Sequence, residues 1–137
     1  MSDTPIPAKP SPSPSDATAP FWAACAEGRL RLRACTACGA RFTPTRAACG
    51  CGCTRLEWVE ASGRGTVFSY TVVHRAPDPA FRAELPYVIA IVALEDGGRL
   101  MSNVIGCAAD AVRIGLPVRA VYETVGEGVG VPKFTPA

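Results

Sequence analysis

The sequence predicts a mainly β protein, built as an N-terminal helix and a small cysteine-bearing ribbon followed by a five-stranded barrel. Three observations carry that expectation. Five of the seven cysteines fall between Cys35 and Cys53. From Thr66 onward, β-branched and aromatic segments recur with Gly, Pro and Asp between them. And 137 residues, 48% hydrophobic and 19% charged, suffice for one ordinary core plus a small satellite. The expected division is residues 1–19 as a leader, 20–60 as helix and ribbon, and 61–137 as the barrel.

Residues 1–19 are dominated by Pro, Ser, Thr, Ala and Asp, with Ile6 the only large apolar residue besides Met1. Such a segment cannot bury enough surface to offset the entropy of ordering, which predicts a disordered leader. At Asp16 to Pro20 the composition changes. Thr18 or Asp16 can cap a helix, Pro20 suits its first turn, and Gly28 ends the run Phe21-Trp-Ala-Ala-Cys-Ala-Glu27. Phe21 and Cys25 are four apart and share a face beside Trp22, so this short helix must dock on something. Both the chain's own core and a partner's groove are open as its destination.

Arg29-Leu-Arg-Leu-Arg33 alternates strictly, placing Leu30 and Leu32 on one face of a strand and three arginines on the other. It leads into Cys35-x2-Cys38, a good knuckle for a tetrahedral metal, with Gly39 where the backbone must turn. The second knuckle is irregular, because Cys49, Cys51 and Cys53 offer x1 and x3 spacings but no x2. One residue between two ligands of one metal is strained and x3 lies in the usual range. The expected set is therefore Cys35, Cys38, Cys49 and Cys53 around a structural Zn2+, with Cys51 as the substitute. Leu56 to Glu60 is the strand leaving this zinc ribbon. Some thirty residues cannot build a core, so the metal is expected to supply most of the ribbon's folding free energy.

The barrel strands are expected at Thr66–Val73, Tyr87–Leu94, Arg99–Ile105, Val118–Val125 and Val129–Phe134. Asp96-Gly97-Gly98 is a tight turn joining the second and third as a hairpin. Cys107 to Val112 can form one or two helical turns between the third and fourth. Five strands with a short helix after the third describe the OB-fold, a partly open Greek-key barrel.

The net charge is +2, too small to imply a nucleic-acid partner by itself, but it is unevenly spread. Phe21 to Glu60 carries six Arg against three Glu, a balance of +3, while Ala61 to Ala137 balances to zero, with six Arg and one Lys against seven Asp and Glu. Any basic surface belongs to the ribbon half. No run of 18 apolar residues offers a membrane span and the first twenty residues lack a signal-peptide core, which predicts a cytoplasmic protein. There thiols stay reduced, which favours metal over disulfides.

The combination of Phe21-Trp22 with Glu27-Gly28 and Leu30, the Cys35/Cys38 knuckle, Leu56-Glu-Trp58, Gly63-Arg-Gly-Thr-Val67, Val73-His-Arg-Ala-Pro77, Pro86-Tyr87, Asn103 with Gly106, Ile114-Gly115 with Pro117-Val118 and Pro132-Lys-Phe134 resembles a bacterial and archaeal family. These are the zinc-ribbon/OB-fold proteins of acyl-CoA metabolism, long catalogued as a domain of unknown function, and the resemblance covers Phe21 to Ala137. The second knuckle departs from the family's Cys-Pro-x-Cys-Gly. The resemblance implies an accessory subunit of a thiolase-like or ketosynthase-like enzyme, contacted through ribbon and N-terminal helix, with the OB part helping to hold acyl-CoA or bridging neighbouring enzymes. Members accompany thiolases, a hydroxymethylglutaryl-CoA synthase, acyltransferases and steroid side-chain aldolases.

The residues agree with a binding role. His74 is the only histidine, so no nucleophile–base–acid triad can be assembled. A lone His beside Arg75 at a strand end reads as a surface or ligand-contact residue, and Cys107 reads as a small half-buried apolar residue unless a helix start lowers its pKa. Bound acyl-CoA would need cations for its phosphates and an apolar slot for its pantetheine arm. Arg75, Phe81, Arg82, Tyr87 and Lys133 are the candidates, the first three within the proline-bearing loop His74 to Leu85. The competing expectation is a single-stranded nucleic-acid binder, since ribbons and OB-folds both serve that role. Against it, Tyr87 is the only aromatic of the second and third barrel strands.

Overall fold

One α-helix and eight strands follow one another in the computed structural model, which describes residues 8–137. The first seven residues of the predicted leader lie outside the described residues. Helix α1 (Ala19–Ala26) has Pro20 in its first turn, and it stops at Gly28, whose φ of 76° is a left-handed conformation suited to glycine. Thr18 precedes it without capping it. Its Oγ1 instead accepts from the Trp22 indole N–H at 3.2 Å and from the Ser15 amide at 3.1 Å.

Strand β1 (Leu30–Cys35) is the centre of a three-stranded antiparallel sheet in the order β2-β1-β3, flanked by β2 (Arg41–Phe42) and β3 (Leu56–Ala61). The predicted alternation holds, for Leu30 and Leu32 are buried while Arg31 and Arg33 lie on the other face.

The barrel comprises β4 (Arg64–Val73), β5 (Tyr87–Leu94), β6 (Arg99–Val104), β7 (Pro117–Gly126) and β8 (Val129–Pro136), closed in the order β4-β5-β6-β8-β7. Only the β6–β8 pairing is parallel, the rest being antiparallel. That is the five-stranded OB-fold expected, its intervening turn a short 3-10 helix at Ala109–Ala111. A bulge between Val67 and Ser69 bends β4 so that its start pairs with β7 and its whole length with β5. On β5 every second residue, Val88, Ala90, Val92 and Leu94, is buried, and Phe134 from β8 fills the centre with no exposed surface.

Packing is continuous across residue 60, because Phe21, Cys25, Leu30 and Leu32 belong to the same buried cluster as Val92 and Phe134. The reason lies at Gly130 on β8, where a Cβ would collide with the backbone of Cys25 and Ala26, so the missing side chain lets α1 lie directly on the barrel. The helix is thus docked within its own chain, and its Phe21 and Cys25 are not available to a partner.

The ribbon is also clamped to the barrel by the Asp96-Gly97-Gly98 turn. Asp96 accepts from the Ser62 amide at 2.6 Å and lies 3.7 Å from the Arg41 guanidinium, while a Cβ on Gly98 would stand 3.1 Å from the Phe42 Cα. Finally, the described part of the leader is seated on the barrel. Lys9 pairs with Glu84 and Ser11 donates to the Val125 carbonyl. Among the described residues no helix is long and apolar enough to cross a membrane.

Candidate metal centre and barrel cavity

Two turns bring the cysteines together. The first knuckle closes where Gly39, at φ 76°, lets its amide reach back to the Cys35 carbonyl at 2.9 Å. The second closes between Cys49 and Cys53, where the Cys49 amide donates to the Cys53 carbonyl and the Gly52 amide to the Cys49 carbonyl, both at 2.9 Å. Gly52 at φ 93° makes that reversal possible. Its result is that Cys51, the substitute, joins the sulfur cluster in place of Cys53. Cys51 at the tip points to the other knuckle, 3.6 Å from the Cys35 sulfur, whereas the Cys53 sulfur turns to the Arg55 carbonyl.

Cys35, Cys38, Cys49 and Cys51 thus have all four sulfurs within 4.8 Å of one another, with Cys38 and Cys49 at 3.5 Å. A tetrahedron of sulfurs about 2.3 Å from a zinc has edges of about 3.8 Å, and the group's sulfurs are close enough together to converge on one ion. The electrostatics point the same way. The amides of Cys38 and then Ala37 pull the Cys35 thiol down to about 6. The Cys53 amide acts likewise on Cys51, but the neighbouring Cys49 and Cys35 sulfurs outweigh it and raise that thiol to about 12. Four thiolates this close repel one another unless a cation lies between them. Phe42 packs against the cluster, with Arg46 over its ring at 4.9 Å.

Cys25 and Cys107 stand apart from this group. Burial raises the Cys25 thiol to about 12, as befits a packing residue. Cys107 is half-buried at the wall of a cavity of 730 Å³ on the barrel's flank. Phe81, Tyr87, Val88 and Val104 give that cavity apolar walls, and Glu84, Glu123 and Lys133 stand at its sides. The Phe81 and Tyr87 rings lie 6.4 Å apart at 45°. Lys133 donates to Glu123 at 2.7 Å and holds its carboxyl below the usual carboxylate range, Lys9 adding to the effect.

Of the residues expected to hold acyl-CoA, Phe81, Tyr87 and Lys133 meet in this cavity, and Arg75 and Arg82 do not line it. Arg82 folds back on its own loop, donating to the Ala76 and Pro77 carbonyls at 3.3 and 3.2 Å. This braces the 3-10 helix Pro79–Glu84, which Asp78 caps by accepting from the Ala80 amide. Arg75 and His74 are exposed and His74 does not line the cavity either. The arginine face of β1 is not free: Arg29 pairs with Glu27 and Glu60, Arg31 pairs with Glu60, and Arg33 lies over the Trp58 ring at 4.7 Å.

Sequence reasoning missed Phe68 and Met101, which remain 47% and 69% exposed on the outside of β4 and β6. Arg99, two residues before Met101 on β6, stacks on the Phe68 ring at 3.8 Å. The signal was an aromatic residue at the bulge of β4, which takes Phe68 out of the inward alternation.

Comparison with known proteins agrees with both halves. Residues 22–57 match the family described as the ChsH2 rubredoxin-like zinc ribbon domain, and residues 58–123 the ChsH2 C-terminal OB-fold domain. The four-cysteine cluster therefore lies in a zinc-ribbon domain and is consistent with structural zinc. A probable enoyl-CoA hydratase alpha subunit of Thermomonospora curvata is 38% identical over 130 residues, 94% of this chain but only 40% of that protein's length. A DUF35 domain-containing scaffold protein of Methanocaldococcus jannaschii is 40% identical over 96 residues, 68% of this chain and 67% of its own. Among solved structures, a chain of the Ltp2-ChsH2(DUF35) aldolase superposes with a TM-score of 0.80 at 37% identity, over 91% of this chain and 98% of that one.

Proposed function

The chain belongs to the ChsH2/DUF35 family of zinc-ribbon and OB-fold proteins, and from that premise we propose that it is a non-catalytic scaffold subunit. It holds acyl-CoA together with a thiolase-like, ketosynthase-like or aldolase-like partner that supplies the catalytic residues. One observation carries this reading. The barrel has a cavity of the size that takes a ligand's arm, with aromatic and aliphatic walls and charges already paired. The residues that could do chemistry are not assembled there, since Cys107 lies in the wall and His74 outside it. The relatives' names, a hydratase alpha subunit, a scaffold protein and an aldolase complex, support an acyl-CoA setting.

Zinc held by Cys35, Cys38, Cys49 and Cys51 would be structural, because four thiolates leave no open coordination position. The cavity suits the uncharged pantetheine or acyl arm better than the phosphates. Lys133 is engaged by Glu123, and Arg75 and Arg82 lie away from it. A cytosolic location, where thiols stay reduced, fits the cysteine cluster. For the partner, the exposed face of Phe68, Arg99 and Met101 is one docking surface the fold leaves open, since Phe21 and Cys25 of α1 are buried against the barrel.

Affinity purification with mass spectrometry of co-eluting proteins tests the reading. A thiolase-like or aldolase-like chain is expected, and Met101→Glu should weaken its capture without unfolding the barrel. The isolated chain is expected to show no thiolase, thioesterase or acyltransferase turnover. Exposed Phe68 and Tyr70 favour the second reading, single-stranded nucleic acid, as stacking platforms. A tight mobility shift at physiological salt would install it in place of the first.

A further inference from the structure

Part of the cavity wall comes from outside the barrel. Residues 8–12 line it and are tied at two points, one to the 3-10 helix Pro79–Glu84 and one to β7. At the first, Lys9 Nζ lies 2.6 Å from a Glu84 carboxylate oxygen and 5.9 Å from the centre of the Phe81 ring. At the second, Ser11 Oγ donates to the Val125 carbonyl on β7 at 3.3 Å. Pro10 and Pro12 fix φ on either side of Ser11, so the segment is extended before it docks and loses little entropy in docking. The cavity it lines also carries Phe81, Pro86 and Tyr87, the kind of aromatic surface on which proline-rich segments are known to lie.

The 730 Å³ of space persists with the segment in place, so the segment is a wall of the cavity rather than its occupant. We propose that residues 8–12 form a strap that closes over the pantetheine or acyl arm of a bound acyl-CoA and retains it. The proposal rests on the acyl-CoA reading above and adds the element that governs release. The strap is built to open. Its ion pair is a surface one, with the Lys9 and Glu84 side chains 35% and 39% exposed, and salt screens such pairs. Lys9 is matched by Glu84 and Lys133 by Glu123, so the closed site presents no spare cation and selects for the arm.

The test compares the full chain, a chain beginning at Ser13, Lys9→Glu, and the double variant Lys9→Glu/Glu84→Lys. Residues 8–12 place no side chain in the buried core, so the shorter chain keeps its fold. Octanoyl-CoA is the probe, with affinity from calorimetry and dissociation from stopped flow. Truncation and Lys9→Glu are expected to speed dissociation about three- to ten-fold, the range one exposed ion pair and one hydrogen bond can account for. The double variant should restore the slow rate.

Nuclear magnetic resonance shifts at Phe81, Glu84 and Val125, compared between full and truncated chains without ligand, report seating independently. Unchanged shifts would overturn the strap. A seated strap with equal dissociation from all four proteins would overturn its retaining role while the acyl-CoA reading stands. A seated strap with no octanoyl-CoA binding to any of them counts against both.

Discussion

The two halves of this chain are held by different forces, and the contrast falls at a different place from the one the cysteines suggest. Phe42, Cys35, Cys49, Cys53 and Leu56 form a small cluster of their own around the knuckles. Most of the other buried apolar side chains, including Phe21 and Cys25 of α1 and Leu30 and Leu32 of β1, belong to the barrel's core. A metal is needed only where the apolar cluster is too small to stand by itself. The ribbon is therefore better described as a pair of cysteine knuckles, suited to a structural metal, at the end of a sheet that the barrel already supports.

The largest effect expected follows from that division. Zinc removal by a strong chelator, or Cys51→Ser, should abolish the knuckles' order, since structural zinc contributes on the order of 10 kcal/mol in small finger-like units. The β1–β3 pairing and the barrel should survive. Elemental analysis gives the metal content, and hydrogen exchange locates the loss. Cys53→Ser should retain zinc, because the Cys53 sulfur faces the Arg55 carbonyl. Zinc retained by Cys51→Ser and lost by Cys53→Ser would restore the assignment made from spacing. Unfolding of β1 together with the knuckles would erase the division itself.

The converse variant attacks the other half. Phe134 has no exposed surface and lies in the centre of the shared core. Phe134→Ala should cost about 3–5 kcal/mol, the usual range for a buried aromatic truncated to Ala. The loss should reach α1 and β1 as well as the barrel. If denaturation of this variant left α1 and β1 protected, ribbon and barrel would be separate units after all.

Asp96 sits at the joint between the two, holding Ser62 on one oxygen and lying near Arg41 with the other. Asp96→Ala should cost about 1–2 kcal/mol, the scale of one charged hydrogen bond with a weak ion pair added. Its signature should be faster amide exchange at Ser62 with zinc content unchanged. Loss of zinc would mean that the turn helps to build the metal site and does not merely orient it.

How much of this was legible in the sequence depends on the range of the interaction concerned. The ribbon strand came from alternation and the barrel strands from β-branched and aromatic runs bounded by turn residues, both local signals, and β5 lies where expected, from Tyr87 to Leu94. The hairpin turn at Asp96 to Gly98 came from residue type alone. What was not legible depended on backbone geometry or distant contacts. The choice of Cys51 over Cys53 is made by a turn at Gly52, which spacing rules do not contain. The docking of α1 depends on Gly130, over a hundred positions away in the chain. Arg82 looked like a phosphate ligand because sequence carries no sign that its guanidinium is used by carbonyls of its own loop. The strap was hidden because its composition is that of a free leader, and its two ties are made to Glu84 and Val125.

The smallest effect expected belongs to the barrel and separates the two halves by pH. Lys133 hydrogen-bonds Glu123 and holds its carboxyl below the usual range. A carboxyl with a depressed folded pKa stabilises the protein above its unfolded value, about 4.3, and the contribution is lost as pH falls through the folded value. Glu123 is 47% exposed on its side chain, so solvent screening limits the pair to about 1 kcal/mol or less. Wild type should therefore exceed Glu123→Gln in stability by that small margin at pH 7, and the margin should close as pH falls through the lowered folded value. Acid also protonates the knuckle thiolates and releases the metal, but it does so in both proteins alike. The difference between them isolates the barrel's ion pair from the ribbon's chemistry. A margin that stayed constant down to acid pH would mean that Glu123 acts by packing, and one that widened would mean that its carboxyl is raised in the folded state.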